Sequence, residues 1–435
     1  MSKRRILVLG AGLAGLTAVW HLRNKKIDAL VLEKEDEIGG LCRTKHVRGF
    51  TFDHDGHLLH FQSPAVRRFV RSLLKDNIAE HQRKAWVYHA KQYVPYPFQT
   101  HLAALPQDVK EECLRGYLDA LSAEGGRTKS RDFQDWVTKT FGKGIAKNFM
   151  MPYNSKFWTV SPNKLTCEWL DGFMPQPSAS QVISGAFKTS ANGAFGYNAR
   201  FWYPKTGGIQ ALITAMARPL KNCICRAAVT AIDTEKKEVT VNGVEKIKYD
   251  SCISTLPLNE MSNMIPGLPR DIKNVLGLLR WNSIFNLNLG FKARQRNDRH
   301  WVYFPQKDLS FFRVGFPHNF SKKATPSGTH SLYAEAAYSR HRPLPKNTII
   351  QAMIRDLVKT GLLGSQNDIL ACDTNDITYG YPIYDKNYSF ARRKAIEFLR
   401  KKNIHCCGRY GSWRYLSMEG TILDAQSTAG RIQQA

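Results

Sequence analysis

The hydrophobic pattern at the start of the chain predicts a strand, a helix and a second strand. Residues 6–9 (ILVL) form a continuous apolar run that ends at a glycine, as buried parallel strands do. Apolar residues then recur on one face of a helix between Leu13 and Leu22, and residues 29–32 (ALVL) form a second apolar run. This order predicts a βαβ unit with parallel strands.

The period of the apolar positions changes twice further along the chain. From about Ser63 to Lys188 it predicts mostly helices, one of which begins near Leu105-Pro106. From Phe201 the period shortens toward two, which predicts a hairpin over residues 239–244. Further strands are expected at 284–291, 301–304, 311–316 and 331–338, and a helix at 347–361.

A glycine motif lies between the first strand and the first helix. Gly10, Gly12 and Gly15 have the G-x-G-x-x-G spacing, with Leu13 and Ala14 between the last two. The glycines allow a tight turn, a close approach of a pyrophosphate to the backbone, and close packing of helix on strand. Glu33 ends the second strand, where a carboxylate can accept hydrogen bonds from ribose hydroxyls. This combination predicts a dinucleotide site rather than a structural turn.

A second glycine motif favours FAD over NAD. Gly39, Gly40, Leu41 and Arg43 follow Glu33 closely and resemble the glycine doublet of FAD-binding oxidoreductases of the amine oxidase class. In that class backbone amides and an arginine contact the flavin pyrophosphate. A surface turn with glycine at positive φ is the alternative.

These patterns predict a mixed α/β (α+β) fold of three units that are interleaved in sequence. A Rossmann-like FAD-binding domain is expected at residues 1–62, 196–260 and 404–435. A mostly helical substrate or lid domain is expected at 63–195, and an antiparallel sheet domain with flanking helices at 261–403.

Composition adds a strong positive charge to an otherwise ordinary globular chain. The 435 residues include 63 Lys and Arg against 36 Asp and Glu, a net charge of +27. The nine cysteines have no repeating spacing, which favours reduced thiols and a cytoplasmic location. The basic, apolar start is not interpreted as a signal peptide, and no apolar run reaches the length of a membrane span.

Several later motifs, in their joint order, resemble the UDP-galactopyranose mutases, flavoproteins that interconvert the pyranose and furanose forms of a UDP-sugar. The resembling segments are residues 53–57 (DHDGH), 94–99 (VPYPFQ), 151–158 (MPYNSKFW), 197–201 (YNARF), 301–305 (WVYFP), 380–382 (GYP) and 408–415 (GRYGSWRY). The resemblance implies isomerisation by reduced FAD through a bond between flavin N5 and the sugar, with NAD(P)H as a candidate reductant and no metal.

The same resemblance implies the functional residues. The catalytic set is His57, Asn154, Asn198, Arg313, Tyr381 and Tyr415. The cofactor set adds Gly56, His57, Arg409, Tyr415 and Ser417 to Gly10, Gly12, Leu13, Ala14, Gly15, Glu33, Gly39, Gly40, Leu41 and Arg43. The set that binds the UDP-sugar is Tyr96, Phe98, Gln99, Asn154, Trp158, Phe173, Asn198, Trp301, Tyr303, Arg313, Tyr381 and Tyr415.

The chain departs from the family pattern at three positions. Phe173 stands where the family has its second diphosphate arginine, Asp55 replaces a glycine of D-x-G-G-H, and Ser417 replaces an aspartate. Loss of a bidentate guanidinium removes a hydrogen bond of about 1.5–3 kcal/mol. The identity of the sugar nucleotide therefore stays open.

Two alternatives to a mutase remain. One is an FAD-dependent oxidase or desaturase that acts on an amine, a porphyrinogen or a polyene, which Phe173 favours. The other is a non-enzymatic flavoprotein or nucleic-acid binder driven by charge, although no nucleic-acid-binding motif accompanies the basic clusters. Those clusters, at residues 67–75 and 392–402, are interpreted as solvated helix faces, with peripheral contact to an anionic membrane through 392–402 as a further hypothesis.

Overall fold

The computed structural model describes residues 4–123, 129–170, 173–188, 199–292 and 297–434. Its strands are β1 (Ile6–Leu9), β2 (Ala29–Leu32), β3 (Thr44–Val47), β4 (Phe50–Asp53), β5 (Ala79–Gln82), β6 (Ala85–His89), β7 (Gln92–Pro95), β8 (Arg200–Tyr203), β9 (Cys223–Ile224), β10 (Val229–Asp233), β11 (Glu238–Val241), β12 (Glu245–Lys248), β13 (Ser251–Ser254), β14 (Trp281–Lys292), β15 (Trp301–Tyr303), β16 (Arg313–Gly315), β17 (Thr329–Tyr338), β18 (Ile369–Pro382) and β19 (Ile404–Cys406).

Helices surround these strands and are mostly short. They are α1 (Leu13–Asn24), α2 (Pro64–Leu74), α3 (Gln107–Ser122), α4 (Phe133–Ile145), α5 (Met151–Trp158), α6 (Ala179–Phe187), α7 (Gln210–Ala217), α8 (Met261–Met264), α9 (Arg270–Leu278), α10 (Ile349–Lys359), α11 (Tyr388–Lys401), α12 (Gly408–Gly411) and α13 (Met418–Gln434).

The predicted βαβ unit is confirmed and forms the centre of a parallel sheet. The strand order is β19-β13-β1-β2-β9, and every pair in it is parallel. β1 and β2 come from the start of the chain, β9 and β13 from the middle, and β19 from near the end. Parallel neighbours cannot be joined by a tight turn, so longer connections run between these strands. The loops at the carboxyl ends of β1 and β2 therefore meet at one edge of the sheet.

A seven-stranded mixed sheet forms the second large layer. Its order is β18-β14-β17-β16-β15-β6-β7, and the long strand β14 pairs antiparallel with β17 and β18. The predicted strands at 284–291 and 331–338 lie within β14 and β17. The strand predicted at 311–316 is shorter in the structure and forms β16. Pro305 follows its partner strand β15, and because proline has no backbone N–H, it cannot extend the hydrogen-bond ladder between the two strands.

The region predicted to be mostly helical also contains strands. Residues 79–95 form β5, β6 and β7, and β6 and β7 extend the seven-stranded sheet. Val87 is buried while Trp86 and Tyr88 on either side are partly exposed, which is the alternation of a strand with one face inward. The helical prediction is therefore wrong for this stretch.

Other expectations can be compared with the described part of the chain. The hairpin over 239–244 is confirmed as β11 and β12, and the helix over 347–361 as α10. Arg67, Arg68 and Arg71 lie on the exposed face of α2, as a solvated face requires. Within the described ranges, no helix combines the length and the apolar character needed to cross a membrane.

Candidate active site

Two glycine turns lie side by side at the edge of the parallel sheet. Gly12 and Gly39 form an isolated parallel bridge, and the N–H of Gly39 donates to the carbonyl of Ala11 at 2.9 Å. The N–H of Gly10 donates to the carbonyl of Leu32 at 2.8 Å, which ties the first turn to β2. Because α1 begins at Leu13, its free N–H groups face the same space. This edge can receive a phosphate anion.

Gly15 explains why the helix can approach the strand so closely. A Cβ atom at this position would lie 2.0 Å from the carbonyl oxygen of Gly10 and 3.2 Å from Cγ1 of Val8. No side chain fits at such distances, so any larger residue would force α1 away from β1. The third glycine of the motif therefore lies behind the phosphate site and sets its geometry.

Glu33 is held in place by the backbone around it. Its Oε2 accepts from the N–H of Ala11 at 2.7 Å, and its Oε1 accepts from the N–H of Glu35 at 3.0 Å. Each carboxylate oxygen has a further lone pair, and the side chain lines the cavity described below. A ribose hydroxyl can donate to it there. The glycine turns, the helix terminus and this carboxylate together fit the adenosine diphosphate half of FAD.

One cavity of about 1010 Å³ runs from these glycine turns to an aromatic region between the two large sheets. This volume is at the upper end of the range of about 300–1,000 Å³ for small-molecule sites. Ser417, Met418 and Thr421 at the start of α13 also line it. The positive end of this helix therefore faces the cavity, where it favours negative charge on a bound group.

Aromatic side chains form the wall of the deeper part of the cavity. The rings of Phe173 and Tyr415 are stacked, with centroids 4.2 Å apart and an interplanar angle of 16°. Tyr381 meets Tyr415 edge to face at 5.1 Å. Tyr96 and Tyr303 form a second pair at 5.0 Å. Flat aromatic surfaces of this kind suit a planar base or ring.

Arg409 lies among these rings. Its guanidinium carbon is 4.2 Å from the centroid of Tyr381 and 5.3 Å from that of Tyr415. It donates to the carbonyls of Gly380 at 2.8 Å and Leu416 at 3.2 Å. Neighbouring tyrosines raise the pKa of Arg409 further, against the effect of burial, so it stays a cation at every working pH. The cavity therefore keeps a fixed positive charge at this position.

Arg313 lines the cavity as the sequence predicts, but a carboxylate already contacts it. Its Nε and Nη2 both donate to Glu335, the latter at 2.7 Å, and the Glu335 side chain has no exposed surface. Asp55, which lies in the cavity wall, is next to this carboxylate, because Asn286 opposite Glu335 donates from its Nδ2 to Oδ1 of Asp55 at 3.5 Å. Arg313 therefore faces the cavity as part of an ionised cluster rather than as an isolated cation.

The structure brings most of the predicted site residues to this cavity. Those that line it are Gly10, Gly12, Leu13, Ala14, Glu33, Gly39, Gly40, Leu41, Arg43, Gly56, His57, Tyr96, Asn154, Phe173, Trp301, Tyr303, Arg313, Tyr381, Arg409, Tyr415 and Ser417. Asn154 is anchored by its Nδ2, which donates to the carbonyl of Met150 at 2.8 Å. Asn198 lies outside the described residues.

Three residues predicted to bind the substrate lie behind the wall instead. Phe98, Gln99 and Trp158 are fully buried and do not line the cavity. The side chain of Gln99 donates to the carbonyl of Pro175 at 3.0 Å, and Trp158 meets the ring of Tyr415 edge to face at 6.0 Å. In this structure they support the residues that face the cavity.

The sequence reasoning missed several residues of the site. Tyr153 and Tyr333 line the cavity, and Glu335 lies directly behind it. Burial raises the pKa of both tyrosines well above the ordinary value, so their hydroxyls stay neutral donors. The sequence does contain a sign of Glu335. It is a single glutamate in the mostly apolar strand pattern of residues 331–338, and a charged residue is unusual at a buried position.

Comparisons with known proteins agree with this architecture. The chain is similar to a protein whose crystal structure is described as reduced UDP-galactopyranose mutase, with a TM-score of 0.94 and 26% identity over 99% of this chain and 96% of that one. It is 20% identical to the probable UDP-galactopyranose mutase of Klebsiella pneumoniae over 99% of the chain and 94% of that protein.

Oxidases of the same fold are also similar to this chain. It is 21% identical to protoporphyrinogen oxidase 2 (chloroplastic/mitochondrial) of Arabidopsis thaliana over 89% of the chain and 86% of that protein. Putrescine oxidase bound to putrescine has the same fold, with a TM-score of 0.66 at 15% identity over 99% of both chains. The family model "Flavin containing amine oxidoreductase" matches residues 13–433. The chain therefore belongs to the flavin-containing amine oxidoreductase family, and its FAD-type cavity is that of a flavin enzyme.

Proposed function

We propose that this flavin enzyme is a nucleotide-sugar mutase, which interconverts the pyranose and furanose forms of a UDP-sugar. The observation that carries the proposal is the backbone similarity to a UDP-galactopyranose mutase over nearly the whole chain, at a TM-score of 0.94. The cavity residues agree with it, because the aromatic rings, Asn154, Arg313 and Arg409 of the deeper part suit a base, a sugar and a diphosphate.

The side chains divide the cavity into three regions under this proposal. Tyr96 offers a ring for the uracil base. Arg313, Tyr381 and Tyr415 face the diphosphate and stabilise its negative charge as it leaves the sugar. Asn154 orients the sugar hydroxyls. Reduced FAD, with NAD(P)H as the proposed reductant, supplies the nucleophile for the anomeric carbon when it is bound.

A second candidate function is an oxidation of the kind that other members of the family perform. The observation that favours it is that Arg313, one of the two arginines beside the aromatic rings of the cavity, is already paired with a carboxylate. Phe173 stands where a second arginine would serve a diphosphate, and Arg313 is paired with Glu335. A neutral or cationic substrate would tolerate this arrangement better than a diphosphate would.

Turnover of UDP-galactopyranose distinguishes the two candidates. The purified flavoprotein is reduced with dithionite or NADPH without oxygen, and the furanose form is followed by chromatography. The mutase proposal predicts furanose with the reduced protein and none with the oxidised protein. Asn154→Ala should lower turnover strongly, whereas Asn367→Ala, a change at an exposed residue outside the cavity, should not. No furanose from any nucleotide sugar, together with oxygen-dependent oxidation of an amine, would refute the mutase proposal.

A further inference from the structure

A buried carboxyl group, Glu335, and a half-buried one, Asp55, lie next to each other at the cavity wall, and the proposed function uses neither of them. Asp55 follows β4 and lines the cavity, where the motif that it belongs to carries glycine in the UDP-galactopyranose mutases. Glu335 lies within β17, directly behind it. Asn286, which lies opposite Glu335 on β14, donates from its Nδ2 to Oδ1 of Asp55 at 3.5 Å, so the two carboxyl groups adjoin. Oδ1 of Asp55 also accepts from the N–H of Gly56 at 2.8 Å.

Two carboxyl groups in contact cannot both ionise easily away from water, so one proton between them is favoured. Burial is the main cause that raises the pKa of Glu335 to about 8, and the charge of Asp55 adds to it while Arg313 opposes it. The pKa of Asp55 is lowered, although burial alone would raise it, because Glu335, His57 and Arg313 all favour its ionised form. The proton therefore resides mainly on Glu335.

Several other titratable groups surround the carboxyl pair. Arg313 on β16 and His57 after β4 are the cationic or titratable neighbours with the strongest influence. Five tyrosines of the described residues also interact with the pair, and their pKa values are all raised: Tyr153, Tyr303, Tyr333, Tyr381 and Tyr410. These hydroxyls stay neutral at working pH, and Arg409 beside Tyr381 keeps its positive charge throughout, so the carboxyl pair is the part of the local charge that changes with pH.

We propose that Asp55 determines specificity by making the binding of a sugar diphosphate depend on the proton that it shares with Glu335. With the proton present, Arg313, Asp55 and Glu335 carry no net charge. Without it they carry one negative charge, which repels a diphosphate at close range in a cavity of low dielectric. The proposal rests on the proposed function for the identity of the ligand.

The geometry of Arg313 agrees with this role. Its contacts with Glu335 use Nε and Nη2, so the N–H groups of Nη1 are not needed for the ion pair. Arg313 itself lines the cavity. A guanidinium has five N–H donors in its plane, so one edge can hold Glu335 while another edge donates to a phosphate oxygen. The cluster can therefore bind an anion once its own charge is balanced.

At alkaline pH the free protein has lost the shared proton. If binding requires that proton, the protein must take one up from solution when the ligand binds. The affinity for UDP-galactopyranose should be constant below about pH 8 and should fall by up to about tenfold per pH unit above it. The diphosphate of a UDP-sugar is fully ionised throughout this range, and ionisation of the uracil N3–H at alkaline pH affects the wild type and Asp55→Gly alike. The difference in affinity between the two proteins therefore reports the carboxyl pair.

Calorimetric titration of the oxidised flavoprotein with UDP-galactopyranose tests the proposal without turnover. Repeating the titration in buffers of different ionisation enthalpy gives the number of protons taken up. We expect uptake that approaches one proton above about pH 8 in the wild type. Asp55→Gly, which installs the glycine of the mutase motif, should abolish the uptake and raise the affinity about tenfold at about pH 9. Asp298→Asn, a change in an exposed carboxylate paired with Lys84, is the matched control and should behave as the wild type.

Infrared difference spectroscopy tests the shared proton independently of any ligand. The C=O band of a protonated carboxyl group should disappear as the pH rises through about 8, and this change should be absent in Asp55→Gly and Asp55→Asn. Binding of UDP-galactopyranose without proton uptake, or uptake that persists in both variants, would overturn the inference. No binding at any pH would instead refute the proposed function, and the infrared titration would still decide whether the pair shares a proton.

Discussion

Replacing Phe173 by arginine tests whether the aromatic stack limits the binding of a diphosphate. Phe173 lines the cavity and stacks on Tyr415, which in turn meets Tyr381. Arginine at this position would place a guanidinium beside the two tyrosines proposed to face the diphosphate. It would add a second guanidinium to the cavity, where Arg313 is already paired with Glu335.

The expected magnitude follows from the interactions gained and lost. A bidentate hydrogen bond between a guanidinium and a phosphate contributes about 1.5–3 kcal/mol to binding, which corresponds to roughly 10- to 100-fold in affinity. The stack on Tyr415 exists before the ligand binds. Its loss therefore lowers the free energy of unfolding by about 0.5–1.5 kcal/mol and leaves the binding gain largely intact.

Calorimetric titration with UDP-galactopyranose measures this gain, and denaturant unfolding measures the cost. Two further variants separate charge from shape. Phe173→Leu removes the ring without adding charge and should not raise affinity. Phe173→Lys adds a point charge without the planar fork and should raise affinity less than arginine does. If Phe173→Arg and Phe173→Leu have the same affinity, the ring does not occupy a diphosphate position and this reasoning is refuted.

Two further predictions concern the cofactor site and the buried lysine behind the wall. Gly15→Ala should leave the purified protein without flavin absorbance, because the added Cβ would lie 2.0 Å from the carbonyl oxygen of Gly10. Gly277→Ala in α9, where a Cβ meets nothing within 4 Å, should retain flavin, and equal flavin content in both would contradict the packing argument. Lys156 donates to the carbonyls of Phe304 and Gln306, and burial lowers its pKa to about 7. The unfolded chain holds this proton to a higher pH than the folded chain, so Lys156 should make stability rise with pH above about 7 by up to about 1.4 kcal/mol per unit. The free energy of unfolding of Lys156→Met, measured with urea at several pH values, should lack this rise with pH. The same dependence on pH in the wild type and in Lys156→Met would contradict the assignment.

The cofactor half of the site was predictable from local sequence. The two apolar runs, the glycine spacing and Glu33 each report a short-range requirement of backbone geometry, so they indicate the βαβ unit without knowledge of the rest of the fold. The short strands β6 and β7 were not predictable in this way. β6 pairs in parallel with β15, more than 200 residues further along the chain, and no local period encodes that partner.

The substrate half of the site was predictable only as a set of segments. A motif such as residues 94–99 predicts that the segment lies near the ligand, but not which side chains face it. Tyr96 lines the cavity, whereas Phe98 and Gln99 point into the core. The proximity of Asp55 and Glu335 was also not predicted, because the loop after β4 and the strand β17 come together only in the folded chain.

The proposal that the enzyme breaks and re-forms the bond between a sugar and a diphosphate has one direct test. UDP-galactopyranose is prepared with ¹⁸O in the oxygen that joins the anomeric carbon to the diphosphate, and the reduced protein is added without oxygen. Phosphorus NMR then follows the position of the label. If the diphosphate leaves and returns, the label moves into the non-bridging positions of the recovered substrate, as we predict. A label that stays in the bridging position, with the reduced flavoprotein intact and the sugar nucleotide bound, would contradict the account.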